Sequence, residues 1–218
     1  MHKILPRMLL TGFDPFGGET INPSWEAVRS LHGRHVNGHL VVARQLPTEF
    51  AASLRQLKAA MRELKPAIVL GVGQAGGRAQ LSLERVAINL QDARMPDNAG
   101  AQPIDEPVIA GAPAACFSTL PLKAMLAALH EAGIPAAISH SAGTYVCNHI
   151  AYAMLHLASK RGGVRAGFIH IPYLPAQAAR LRDVPSMAQA DVERGLLIAL
   201  RVAATVTVDR KLAGGSLD

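Results

Sequence analysis

The chain has 218 residues, half of them hydrophobic, a net charge of +6, and two cysteines. That is enough apolar material for one sizeable core as a single domain, and no apolar run approaches the roughly 20 residues that span a bilayer. The positive charge does not indicate nucleic acid, because the basic residues are scattered singly apart from Lys160-Arg161 and Arg210-Lys211, and an aromatic content of 4% leaves few stacking platforms.

In chain order, apolar periodicity and turn residues predict a strand over 8–13, a helix over 23–31, a strand over 40–46 and a helix over 49–64. Strands over 68–72 and 85–90 follow, then a helix over 120–132, a strand over 136–139, a helix over 146–159, a strand over 167–171 and a helix over 186–206. Asn22 is placed to cap the first helix, with Pro23 at its first position. Several strands are apolar throughout, as in strands covered on both faces, and the alternation of strands with helices predicts an α/β fold with a largely parallel sheet. The stretch 92–121 is rich in Pro, Gly, Asp and Asn, lacks a period and is too long for a simple connection. Its specific turn chemistry predicts an ordered loop beside a functional site. Residues 1–211 are expected to form the single domain and 212–218 a loose tail. The amino terminus MHKILPRMLL has too short an apolar stretch for a signal peptide, so the expectation is a cytoplasmic protein with free thiols.

The most informative segment is SHSAGTYVCNH, residues 139–149, which places Cys147 where a strand turns into a helix. In the first turn of a helix, unpaired N–H groups and the positive end of the dipole favour a thiolate, the nucleophilic form. Cys116, in PAACFST, reads as a small packing residue. A cysteine nucleophile needs a base and a group to orient that base. Of nine histidines, His170 is best placed, near the end of the apolar strand in GFIHIPY. His140, just before the turn, is its rival, and His149, two positions from Cys147 on a helix, points away. For the orienting carboxylate, Glu84 lies at a buried strand and needs a partner, which is either a histidine or simply Arg78 or Arg85. Asp92, Asp97, Asp105 and Glu106 are alternatives that serve equally as turn residues.

The segments TGFDPFGGE and GVGQAGGR are glycine-rich but have neither nucleotide-binding spacing. Phe13 and Phe16 flank a tight turn and offer an apolar slot for a small ring. No histidine and cysteine cluster has metal-ligand spacing, so neither metal nor cofactor is expected.

The blocks TGFDPFGGETINPSWEAV, GQAGGRAQLSLERVAINLQDARMPDNAG, SHSAGTYVCNH and GFIHIPYLPAQ, from Thr11 to Gln177, resemble the signature blocks of the pyroglutamyl peptidase I family in order and spacing. The resemblance implies an αβα sandwich with a twisted mixed sheet and a cysteine exopeptidase that removes an N-terminal pyroglutamyl residue from peptides, often as a homotetramer. It assigns the triad to Cys147, His170 and Glu84. It places the lactam ring between Phe13 and Phe16, with Thr48, Gln74, Met95, Tyr145 and Val146 completing the pocket. Met95 stands where isoleucine is common and Tyr145 where phenylalanine is common. Arg94, in DARMPDN, is a further candidate for assisting the oxyanion. Two other readings are an enzyme resembling purine nucleoside phosphorylases, which share a related architecture, and a binding protein that keeps the fold without catalysis.

Overall fold

A computed structural model describes residues 5–215 of the chain. The elements are β1 (Arg7–Phe13), α1 (Pro23–Ser30), β2 (His35–Val36), β3 (His39–Leu46), α2 (Phe50–Leu64), β4 (Ile68–Gln74), β5 (Leu81–Glu84), β6 (Val86–Ile88) and β7 (Ala115–Phe117). They continue with α3 (Leu122–Glu131), β8 (Ala136–Ser139), α4 (Val146–Ser159), β9 (Arg165–Ile171), α5 (Pro175–Ala178) and α6 (Gln189–Thr205). Seven strands form the central sheet in the order β2-β3-β1-β4-β9-β5-β8, and β6 with β7 forms a separate ribbon. Strands β3, β1, β4 and β9 run parallel. Strand β5 is antiparallel to β9, and β8 is parallel to β5. The sheet is thus mixed and mostly parallel.

Alternation along the strands feeds two cores. Met8, Leu10, Ile68, Leu70, Val72, Ile169 and Ile171 pack against α1, α3 and α6, while Leu9, Phe13, Val69, Ala166 and Phe168 pack against α2 and α4. Helices on both faces give the three-layer sandwich expected from the sequence. Because the sheet is covered on both sides, helix α4 is buried around most of its circumference, including Asn148, His149, Tyr152 and His156.

Helix α1 starts as the sequence predicts, with Asn22 Oδ1 accepting from Ser24 N at 3.0 Å and Pro23 in the first position. Helix α2 borrows its cap from far along the chain. Phe50 N donates to Asp97 Oδ2 at 2.8 Å, and Oδ1 of the same carboxylate takes the N–H groups of Ala99 and Ala101. This one buried carboxylate folds the 92–121 segment onto the helix. The segment is ordered as expected, yet it contains β7, which the sequence does not announce.

One predicted strand is misplaced. The run 85–90 does not join the central sheet; residues 81–84 do, and the apolar run VAINL instead supplies β6. The reason is polarity. In β5, Leu81 and Leu83 enter one core while Ser82 and Glu84 face the other side, so the strand lacks the continuous apolar pattern of a central strand. Beyond it the chain is held by Asn148, whose side chain accepts from Ile88 N at 3.0 Å and donates to Ile88 O and Leu90 O, each at 2.9 Å. A buried amide thus substitutes for a strand neighbour. The short elements β2 and α5 are also unannounced in the sequence. Of the expected tail, residues 216–218 lie outside the described part, and Gly214 O accepts from Arg85 Nη2 at 3.4 Å.

Candidate active site

Cys147 is the second residue of α4. Its cap is Tyr145, which offers no side-chain hydrogen bond to the helix start. The first N–H groups of the helix therefore remain available to an external acceptor instead of being consumed by a Ser, Thr, Asp or Asn cap.

The thiol is positioned by an absent side chain. Gly73, on β4, is the register partner of His170 on β9, so in this parallel pair both project to the same face. A Cβ at Gly73 would lie 2.8 Å from Cys147 Sγ and 2.9 Å from Phe168 Cζ, closer than packing permits. Glycine at this position makes room for the sulfur against the strand, beside the imidazole. The glycine-rich GVGQ stretch thus serves close approach and not phosphate binding.

His170 is 3% exposed and shares its face of β9 with Phe168, their rings edge to face at 5.0 Å between centroids. Its Nδ1 lies 2.8 Å from Glu84 Oε1. A carboxylate only accepts, so Nδ1 carries a proton, and in the neutral ring Nε2 is left with a free lone pair. Glu84 is itself 2% exposed. The same Oε1 also accepts from Arg78 Nη1 at 2.6 Å, so the two partners offered by the sequence, histidine and arginine, are both present. Arg85 is elsewhere, with its Nη1 2.9 Å from His140 Nε2. That contact occupies the exposed rival histidine with a half-buried cation, away from the buried carboxylate.

Burial, followed by the Glu84 charge, pushes the Cys147 thiol up to about 12, while Arg78 pulls in the opposite direction. Burial and the Glu84 charge thus work against the helix start, which by itself favours a thiolate. The group is half-buried, and in these surroundings its ionisation calls for a neighbouring base. His170, the register partner of the glycine that makes room for the sulfur, is the candidate for that base.

The pocket candidates fall into two groups. Phe16, Tyr145 and Phe50 form an aromatic series, with centroids 6.4 Å apart from Phe16 to Tyr145 and 5.4 Å from Tyr145 to Phe50. Met95 is partly exposed with its methyl beside Gly17, and Tyr145 Oη donates to Pro96 O at 3.0 Å. The 92–121 segment therefore walls the region in front of Cys147. Thr48 joins this wall to the β1 loop, since its N–H donates to Asp14 Oδ1 at 2.6 Å and its hydroxyl to Asp14 O at 3.0 Å. Phe13 and Val146 are core residues, and Phe13 packs on Phe168 at 6.4 Å. Gln74, one residue beyond Gly73, projects from the opposite face at the strand's end, where its Oε1 accepts from buried Gln177 Nε2 at 3.2 Å. Arg94 is exposed on the loop. Among the described residues, no group of three or more His, Cys, Asp or Glu is placed to hold a metal, and no helix is long and apolar enough to cross a membrane.

The family model of pyroglutamyl peptidases matches residues 6–206. The chain belongs to the pyroglutamyl peptidase family. The pyrrolidone-carboxylate peptidase of Klebsiella pneumoniae is 56% identical over 209 residues, covering 96% of this chain and 98% of that protein. The crystal structure of pyroglutamyl peptidase I from Bacillus amyloliquefaciens superposes with a TM-score of 0.93 at 45% identity, covering 96% of this chain and all of that one. Pyrrolidone carboxyl peptidase from Thermococcus litoralis superposes with a TM-score of 0.89 at 38% identity over 91% of this chain and 93% of that one. These matches favour a pyroglutamyl peptidase over a nucleoside phosphorylase or a non-catalytic binding protein.

Gly73 and Arg78 were not among the site residues expected from the sequence. The only sequence trace of Gly73 is a glycine inside an apolar strand, which signals close backbone approach. Arg78 is visible only as a basic residue near an acidic one.

Proposed function

We propose that the protein hydrolyses the amide bond after an N-terminal pyroglutamyl residue, with Cys147 as nucleophile, His170 as base and then acid, and Glu84 as the orienting carboxylate. The observation that carries this reading is the meeting at Gly73, whose missing side chain lodges the sulfur beside the histidine that Glu84 holds.

In this mechanism His170 Nε2 takes the thiol proton as Sγ attacks the pyroglutamyl carbonyl carbon. Charge develops on the carbonyl oxygen and is met by the uncapped N–H groups at the start of α4, each such donor being worth about 2.7 to 4 kcal/mol. The imidazolium, stabilised by Glu84, passes its proton to the leaving amine as the C–N bond breaks. A water molecule, deprotonated by the same histidine, then opens the thioester and releases pyroglutamate. Pyroglutamate is a compact, neutral lactam without a free amine, so its recognition calls for apolar walls and amide hydrogen bonds. Phe16, Met95 and Tyr145 are proposed as that wall, with Phe13, Thr48 and Val146 setting it from behind. Arg94 is proposed as a polar contributor at the rim, and Gln74 as one acting through its backbone, since its side chain turns to Gln177 on the opposite face. A cytoplasmic location and a homotetramer belong to the same reading and are tested by fractionation and sedimentation.

The decisive assay is hydrolysis of a pyroglutamyl fluorogenic amide, with the prolyl amide as control, by wild type and Cys147→Ser. Turnover of the pyroglutamyl substrate alone, lost in the variant, supports the reading. Turnover that survives Cys147→Ser overturns it.

A further inference from the structure

Arg78 belongs to no catalytic step in the mechanism above, yet its guanidinium joins the two halves of the site. It follows the turn Ala75–Arg78 that leaves β4, where Gly77 adopts a φ of 85°. Nη1 donates to Glu84 Oε1 at 2.6 Å and, more weakly, to Ser139 Oγ at 3.4 Å. Nη2 donates to Ser141 O at 3.0 Å. Ser139 and Ser141 are tied to each other, the Ser139 hydroxyl donating to Ser141 O at 3.1 Å and accepting from Ser141 N at 3.3 Å. One side chain thus grips the carboxylate that faces His170 and the turn that leads into the Cys147 helix.

The chemistry of Glu84 explains why such a grip is needed. Its Oε2 is sealed from solvent and has no hydrogen-bond partner among the described residues. All of its compensation therefore falls on Oε1, from His170 and from Arg78. While His170 is neutral, Arg78 is the cation in contact with this buried carboxylate, and a buried charge that loses its counter-ion is strongly disfavoured. The alternative state is a protonated carboxyl. A protonated carboxyl can donate to His170 Nδ1, which moves the imidazole proton to Nε2 and removes the lone pair the thiol needs.

We propose that Arg78 is a positioning residue that keeps Glu84 an acceptor, and through it keeps His170 in the tautomer that serves as base, while fixing the turn ahead of the nucleophile to the same carboxylate. The proposal rests on the reading of Glu84 and His170 as orienter and base. Burial and the Glu84 charge both oppose ionisation of Cys147, and Arg78 opposes them in turn, which acts in the same direction.

The geometry also provides a route for chemical rescue. The Arg78 side chain is 32% exposed, and an open crevice of about 510 Å³ runs along it, bordered by Gly77, Gln80, Ser82 and Ile138. A guanidinium ion from solution can enter where the side chain has been removed.

The test is steady-state hydrolysis of the pyroglutamyl amide by Arg78→Met, Arg78→Lys, Arg78→Ala, Glu84→Gln and the double variant Arg78→Met/Glu84→Gln. Arg78→Met is expected to lower kcat by about 10- to 100-fold, the size of one hydrogen bond to a charged group, with KM nearly unchanged. Arg78→Lys is expected to recover part of the loss, and methylguanidinium, well below denaturing concentrations, is expected to raise Arg78→Ala but not Glu84→Gln. In the Glu84→Gln background the effect of Arg78→Met should nearly vanish, because no charge remains to hold. If Arg78→Met turns over like wild type while Glu84→Gln is impaired, the proposal is overturned and the triad reading stands. An equal loss in both backgrounds also overturns it, since Arg78 would then act on the turn alone. Wild-type turnover by Glu84→Gln removes the underlying reading itself. Should Arg78→Met fail to fold, Arg78→Ala with and without methylguanidinium decides the matter, and a folded Arg78→Ala that methylguanidinium leaves unchanged counts against the proposal.

Discussion

Two imidazoles on the same side of the sheet are each 3% exposed, and their surroundings differ completely. His149 packs edge-on against Phe50 at 5.5 Å, and neither ring nitrogen has a hydrogen-bond partner among the described residues. Burial drives it down to about 4, with the adjacent Phe50 backbone opposing. It is a neutral ring serving as packing. His170, equally enclosed, faces the Glu84 carboxylate, and beyond it Arg78. Burial alone leaves a histidine neutral and idle; burial beside a held carboxylate gives it a fixed tautomer and a free lone pair to use.

That contrast breaks most dramatically at the reacting atoms. Cys147→Ser or His170→Ala should lower kcat by at least about 10⁴-fold while the far-UV spectrum and thermal midpoint stay near wild type. A residual rate within tenfold of wild type in either variant would remove that residue from the chemistry. Glu84→Gln should be milder, about 10²- to 10⁴-fold in kcat, because the nucleophile and base survive and only their alignment is lost. A wild-type rate in Glu84→Gln would reduce the carboxylate to an ion-pair partner of Arg78.

On the other side of the comparison, His149→Phe should leave kcat within a few-fold and change the acid response of stability. The unfolded chain protonates this imidazole near 6.5, whereas the folded protein resists until about 4. Stability held at neutral pH is therefore lost as pH falls through that window, by roughly 3 kcal/mol at its lower end. The variant has nothing to protonate there, so its urea midpoint should fall less than wild type's between pH 7 and pH 4. Parallel curves would show that His149 finds a partner in solution. Gly73→Ala sets a new methyl 2.8 Å from Sγ. It should cost about 1 to 3 kcal/mol of stability by overpacking and depress kcat more than KM, with kinetics and thermal unfolding read on the same preparation.

The layers of the fold were legible because Met8–Leu10, Ile68–Val72 and Ala166–Ile169 are apolar without interruption, as strands between two helical layers must be. Cys147 was legible because small residues and an apolar helix bracket it. Glu84 was legible as a carboxylate but not in its place, because a strand with polar residues on alternate positions looks like a loop next to the more apolar run that follows. The role of Gly73 left only a faint trace, a glycine inside an apolar strand, and the cap from Asp97 to α2 left none. Each depends on a contact between segments whose approach no local pattern records: Sγ lies 74 residues beyond Gly73, and Phe50 N lies 47 residues before Asp97. The thiol's raised proton affinity belongs to the same class, since it arises from the burial and charge that the assembled site imposes.

Strand β9 enters the sheet between β4 and β5, two strands made long before it in synthesis. Until residues 165–171 have been added, the sheet lacks its middle, Gly73 has no histidine opposite it, and Glu84 has no ring to hold. The chain therefore carries its thiol without a base until His170, 23 residues beyond Cys147, has been added and docked. On this reading the peptidase is inert as a nascent polypeptide and is switched on by the docking of one seven-residue strand, a late, non-local event. Recovery of activity on refolding would then time the closing of the sheet.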